Sequence, residues 1–148
     1  MCSIYGIMYY KKCPKDVLQE KMTKMSIKTI HRGPDENEIQ YFENGAIGMN
    51  RLSIIGSNDR NAMVQRDNQI YSAFNGEITN YKSLENELSL NIQCDSEVIL
   101  PMFKKYGEDF INKLGGMFSI AIYDNMKNKL YLWRDALRSK AIILLFEQ

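Results

Sequence analysis

The sequence predicts an α+β layered fold. Apolar, β-rich segments open the chain, amphipathic helical patterns fill its middle, and two strand patterns joined by a tight turn follow. This grouping of strands and helices argues against an alternating βαβ architecture. The 148 residues read as one domain, able to bury roughly 68–70% of its unfolded surface.

Residues 2–10, rich in Ile, Tyr and Met, read as a buried strand. Pro14 opens a turn, and Asp16 caps a helix to Ser26 with Val17, Met22 and Met25 on one face. His31-Arg32-Gly33-Pro34-Asp35 is a loop by its glycine and proline. Residues 38–42 and 46–50 form a hairpin around Asn44-Gly45, a strong turn dipeptide. Residues 51–55 continue extended, and 57–61 are polar loop. Residues 69–74 are a strand running straight into Asn75-Gly76-Glu77. Asn80 caps a helix to Leu90 with Tyr81, Leu84 and Leu88 on one face. Ser96 begins a helix to Tyr106, closed by Gly107 just past its end. A short helical turn at 109–114 precedes strands 117–124 and 129–134, joined by a turn at 125–128.

Nineteen basic and eighteen acidic residues leave a net charge of +1, which argues against a nucleic-acid arm or a membrane-surface patch. The longest clear apolar run, 142–146, is far short of the ~20 residues of a membrane helix. Lys11 and Lys12 follow the N-terminal apolar run, whereas a secretory signal places its charge first. The expected location is therefore cytoplasmic, with reduced thiols. Cys2, Cys13 and Cys94 are odd in number and lack CxxC spacing, a poor disulfide or zinc framework, and no metal is expected.

The chemistry has few candidates. There is no GxxxxGK[ST] loop and no GxGxxG. The single histidine, His31, reads as a surface or packing residue. Cysteine in an apolar strand is by default an inert buried thiol. Position 2 gives Cys2 a second reading. Initiator methionine is removed before a small side chain, leaving Cys2 with a free α-amine of pKa about 7.7–8.0, suited to a general base. A nucleophile activated by its own terminal amine needs no histidine. Asn75-Gly76-Glu77 is by default a turn. Its functional reading is an oxyanion hole, an Asn side-chain N–H and a Gly backbone N–H aimed at one developing negative oxygen. The Arg51 fork matches a carboxylate, and Glu77 with Asp95 matches an ammonium. Together they describe a site for a free α-amino acid; separately they are surface charges.

These segments resemble, in order, the glutaminase domain of class II glutamine amidotransferases, asparagine synthetase type. Met1-Cys2-Ser3-Ile4-Tyr5-Gly6-Ile7 is similar to MCGIxGI, and His31-Arg32-Gly33-Pro34-Asp35 matches HRGPD. Arg51-Leu52-Ser53-Ile54-Ile55 is similar to RLSIxD, and Asn75-Gly76-Glu77-Ile78-Thr79-Asn80-Tyr81 to NGEIYNY. Cys94-Asp95-Ser96-Glu97-Val98 resembles SDTEV, Gly116-Met117-Phe118-Ser119-Ile120-Ala121 resembles DGMFAFA, and Leu132-Trp133-Arg134-Asp135 resembles LxRD. The resemblance implies the N-terminal nucleophile hydrolase fold, a four-layer αββα sandwich. It implies that Cys2 attacks the side-chain amide of L-glutamine while Asn75 and Gly76 hold the oxyanion. Arg51 is implied to bind the substrate carboxylate, Glu77 and Asp95 its ammonium, and the backbone of Leu52, Ser53, Ile54 and Ile55 to line the pocket. His31 and Arg32 are implied to brace the site. No cofactor is implied for this domain; ATP and Mg²⁺ belong to a synthetase domain, whose SGGxDS-type loop is not in this sequence and which is expected as a separate domain or subunit.

Ser3 stands where the pattern has glycine; serine is small, so the change is expected to be tolerated, the alternative being that it crowds the substrate backbone; Gly56 replaces an aspartate and Thr79 a tyrosine. After Asp135 the pattern continues RFGxKPLYY, whereas this chain reads Ala136-Leu137-Arg138-Ser139-Lys140 and then AIILLFEQ. The domain, 1–148, is thus expected to be truncated at its C-terminus. One permitted choice of codons for 141–148, less its first base, encodes Pro-Leu-Tyr-Tyr-Tyr-Leu-Asn and restores KPLYY after Lys140. The tail reads either as a one-nucleotide frameshift or as a natural short end. The functional alternatives to a glutaminase are a catalytically silent glutamine-binding module and an asparagine synthetase fragment.

Overall fold

The computed structural model describes residues 2–52, 64–137 and 140. Strand β1 (Ser3–Met8) leads into helix α1 (Lys15–Thr29) and the hairpin β2 (Glu36–Phe42) and β3 (Gly45–Arg51). A short β4 (Gln65–Asp67) precedes β5 (Ile70–Ile78), helices α2 (Tyr81–Leu88) and α3 (Ile99–Tyr106), and the hairpin β6 (Gly116–Asp124) and β7 (Lys129–Arg134). The strands form two antiparallel sheets, ordered β1-β3-β2 and β4-β5-β6-β7. The fold is α+β, as the grouping of strands and helices predicts.

Strand alternation builds the core, because successive side chains point to opposite faces. On β5, Tyr71 and Ala73 join Ile47 and Met49 of β3 and Tyr123 of β6 in one buried cluster, against which Cys2, Ile4 and Met8 pack. The other face of the second sheet, Phe74, Ile78, Phe118, Ile120 and Ile122, packs with Leu84 of α2 and Ile99, Met102 and Phe103 of α3. Helix α1 lies on the opposite face of the first sheet, and the fully buried Asn50 ties it there. Its Nδ2 donates to Ser26 O and Thr29 Oγ1, each at 2.9 Å, and its Oδ1 accepts from Ser26 Oγ at 3.1 Å and Asn37 Nδ2 at 2.7 Å.

Several boundaries differ from the sequence reading. Pro14, not Asp16, occupies the cap position of α1; Asp16 lies in its first turn, and Leu18, Met22 and Ser26 form the buried stripe. The two-residue loop of the first hairpin is Glu43-Asn44, with Gly45 already paired to Phe42. Gly45 is required by proximity, since a Cβ there lies 2.3 Å from Ile7 O. Asn80 holds the cap position of α2, but its carboxamide reaches Lys113 O and the Gly115 amide, both at 2.8 Å, instead of its own helix. Asp95–Val98 is a 3-10 turn, so α3 begins at Ile99 and not at Ser96. Residues 53–61 and 141–148, read above as extended, loop and tail, lie outside the described residues.

Candidate active site

The two sheets meet in a defined register. At one end Phe42 stacks on Tyr123 with ring centroids 3.8 Å apart and sits 5.7 Å from Tyr71. Asn44 Oδ1 accepts from Tyr123 Oη at 2.8 Å, fixing the β2–β3 turn over β6. From this end β3 runs toward Arg51, and β5 toward Asn75, Gly76 and Glu77. Both candidate segments therefore emerge at the opposite end of the sandwich.

On the first sheet, Ser3 pairs with Asn50, which sets Cys2 beside Arg51 and Leu52. Alternation turns Cys2, Ile4 and Met8 toward the second sheet, and Cys2 packs on the cluster between the sheets. Its Sγ lies 3.9 Å from Leu52 O, and its thiol is free and half-buried. Ser3 points the other way: it is buried, with its Oγ 3.5 Å from Thr29 O at the end of α1. The Ser3 side chain therefore points away from the Cys2 thiol.

The His31–Asp35 loop lies across the end of β3. A Cβ on Gly33 would stand 2.4 Å from Asn50 O and 2.6 Å from the Arg51 nitrogen, so only glycine allows this approach. Arg32 Nε donates to the Cys2 carbonyl at 3.4 Å, whereas His31 is exposed. Of the two, Arg32 is the one that touches the Cys2 backbone. Arg51, read as a surface charge by default, is buried, and its guanidinium meets Glu36 Oε2 at 3.1 Å across the β2–β3 ladder.

On the second sheet, the turn reading of Asn75-Gly76-Glu77 is overturned. All three lie inside β5, paired with Ser119, Phe118 and Met117 of β6. The reason is the glycine: Gly76 has φ +157°, and a Cβ there would lie 2.1 Å from Met117 O. It admits a strand contact that a side chain forbids. Asn75, two residues beyond Ala73, faces the first sheet and is buried, while Gly76 and Glu77 are exposed. Asp95 joins them because its Oδ2 accepts the Ile78 amide at 2.7 Å. Burial holds the Asp95 carboxyl above the usual carboxylate range, and the Glu77 charge adds to the rise; the amides of Ile78 and Ser96 oppose it.

The structure thus sets Cys2, Arg51 and Leu52 at one end of the first sheet and Asn75, Gly76 and Glu77 in β5 of the second, with Asp95 bonded beside them from its 3-10 turn, all at the same end. Ser53, Ile54 and Ile55 lie outside the described residues. Two open surface concavities, beside Cys13 and Tyr41 and beside Trp133 and Leu137, include none of these residues. Among the described residues no three His, Cys, Asp or Glu gather as metal ligands, and no helix is long and apolar enough to cross a membrane.

The profile of the glutamine amidotransferase domain matches residues 1–146. The chain belongs to the glutamine amidotransferase domain family. The relatives it matches include glutamine-hydrolysing asparagine synthetases. It is 34% identical to the glutamine-hydrolysing asparagine synthetase 1 of Bacillus subtilis, over 91% of this chain and 22% of that protein. It is 34% identical to the glutamine-hydrolysing asparagine synthetase B of Escherichia coli, over 93% of this chain and 26% of that protein. The chain therefore spans about a quarter of the length of these relatives. Two further residues touch the candidate segments. Arg32 reaches the Cys2 carbonyl, and the buried Asp135 accepts the Phe118 amide at 3.2 Å beside Ser119. The HRGPD and LxRD motifs were the signals for both.

Proposed function

We propose that this domain hydrolyses L-glutamine to glutamate and ammonia through a thioester on Cys2, and that the ammonia serves an asparagine synthetase-type reaction. In this reading the fold is the N-terminal nucleophile hydrolase type, a four-layer αββα sandwich. The observation that carries the reading is the convergence of Cys2 and Arg51 from the first sheet with Asn75, Gly76 and Glu77 of β5 and with Asp95, bonded to Ile78. With Met1 removed, the Cys2 α-amine takes the thiol proton and the sulfur attacks the glutamine side-chain carbon. The Asn75 side-chain N–H and the Gly76 N–H hold the developing oxyanion. The protonated amine then hands its proton to the departing nitrogen, and ammonia leaves. Water, activated by the same amine, cleaves the thioester to glutamate.

Substrate recognition follows charge. The Arg51 guanidinium binds the α-carboxylate while Glu36 holds the fork in place. Glu77 and Asp95 bind the α-ammonium, which brings Asp95 back toward its ionised form. The ATP-dependent half of the reaction belongs to a separate domain or subunit.

The test is direct. Intact mass establishes Met1 removal in the purified chain, and glutamate and ammonia are measured in equal amounts from added glutamine. Cys2→Ala abolishes this activity, and Asn75→Ala lowers turnover by about 10²–10³. Full activity in the Cys2→Ala protein overturns the assignment.

A further inference from the structure

One buried polar group has no role in the chemistry above. Ser119 is 1% exposed, and its hydroxyl is the one buried side-chain oxygen or nitrogen without a hydrogen-bond partner among the described residues. Buried hydroxyls are almost always paired, so an orphan calls for an explanation. Its position supplies one. Ser119 is the direct cross-strand partner of Asn75, and alternation along β6 turns it, with Ala121 and Tyr123, toward the first sheet. Directly opposite Cβ atoms stand about 4.5–5.5 Å apart, within reach of a hydroxyl and a carboxamide. Among the described residues the Asn75 carboxamide has no hydrogen bond either. Two side chains without a partner among the described residues therefore face each other at the end of the sandwich that holds Cys2.

We propose that Ser119 is a positioning residue for the amide-cleaving step. Its hydroxyl donates through one bridging water to the Asn75 side-chain oxygen, and so turns the Asn75 N–H toward the oxygen of the glutamine amide. This rests on the glutaminase reading above and adds to it. An oxyanion donor works only when its orientation is fixed before charge develops. Ser119 supplies that fixation on the face of β5 where backbone bonds cannot. The DGMFAFA pattern quoted above has alanine at this position, so the Ser119→Ala protein retains a side chain that the strand accommodates.

The experiment compares wild type, Ser119→Ala, Asn75→Ala and the double variant for glutamine hydrolysis and thermal unfolding. Ser119→Ala lowers kcat by about 3- to 10-fold, the range of one neutral hydrogen bond, with KM within about 2-fold of wild type. Its melting temperature falls by no more than roughly 2–4 °C, the value of one hydrogen bond in a domain of this size. On the Asn75→Ala background it has no further effect. Unchanged kcat in Ser119→Ala, a melting temperature lowered by more than about 8 °C, or an undiminished loss on the Asn75→Ala background each overturns the proposal while leaving an active wild type as a glutaminase. A wild type that does not hydrolyse glutamine overturns the parent reading, and this one with it.

Discussion

Asn50→Ala tests how the fold holds the nucleophile in place. Asn50 is fully buried, pairs with Ser3 next to Cys2, and precedes Arg51 in β3. The substitution removes two donated bonds of 2.9 Å, to Ser26 O and Thr29 Oγ1, and the acceptor of the 3.1 Å bond from Ser26 Oγ. The bonds to Oδ1 from Asn37 Nδ2 at 2.7 Å and Tyr5 Oη at 3.4 Å are lost as well, but these two groups bond each other and Asn37 Nδ2 also reaches Met49 O at 3.3 Å, so they count for little. The other three lost bonds at about 1 kcal/mol each give about 3 kcal/mol. The Ser26 hydroxyl left buried without its acceptor adds about 1 kcal/mol or more. The expected loss of about 4 kcal/mol lowers the melting temperature by roughly 8–16 °C in a domain of this size. Urea unfolding followed by circular dichroism measures it, and glutamine hydrolysis falls with it as α1 loosens from β3. A loss below about 1 kcal/mol refutes the reasoning, since it means the network contributes no more than one ordinary hydrogen bond.

Two further outcomes follow from the second sheet. Asp95 has a raised folded-state pKa, so its ionised form is disfavoured by folding; that cost is present at neutral pH and disappears as pH falls below the ordinary carboxylate value. Asp95→Asn is therefore level with or more stable than wild type at pH 7, the difference vanishes in acid, and KM for glutamine rises; a variant less stable at pH 7 than in acid, relative to wild type, contradicts the sign. Gly76→Ala places a Cβ 2.1 Å from Met117 O and 2.6 Å from Phe118 Cα, contacts made of backbone that cannot rotate away. Soluble expression and the unfolding midpoint drop sharply, and a variant with the wild-type midpoint shows that β5 and β6 are not this close.

The order of strands and helices, and both hairpins, were legible because periodicity and turn residues act locally. Strand β5 was read short because Asn-Gly signals a turn on local grounds. The approach of β6 that requires Gly76 is a long-range fact with no local signature. The same limit applies to Asn80, whose capping residue type predicts a bond to its own helix but whose carboxamide spans to Gly115. Strand β4 is three residues long and carries no apolar alternation to mark it. Within the site, Cys2 and Asn75 were legible as chemistry, and the motif order united them. The Arg51–Glu36 pair was not, because a charge in sequence looks the same whether its strand end is covered or exposed. Ser119 was invisible for the converse reason: a serine in a strand acquires meaning only when its cross-strand partner is known.

The central claim is that Cys2 attacks the glutamine amide. The most direct measurement is covalent labelling of the Met1-free chain with an electrophilic glutamine analogue, mapped by peptide mass spectrometry. The account predicts one label per chain on Cys2, blocked by excess glutamine and lost in Cys2→Ala. Labelling of Cys13 or Cys94 in its place, or an unlabelled chain that still hydrolyses glutamine, contradicts it.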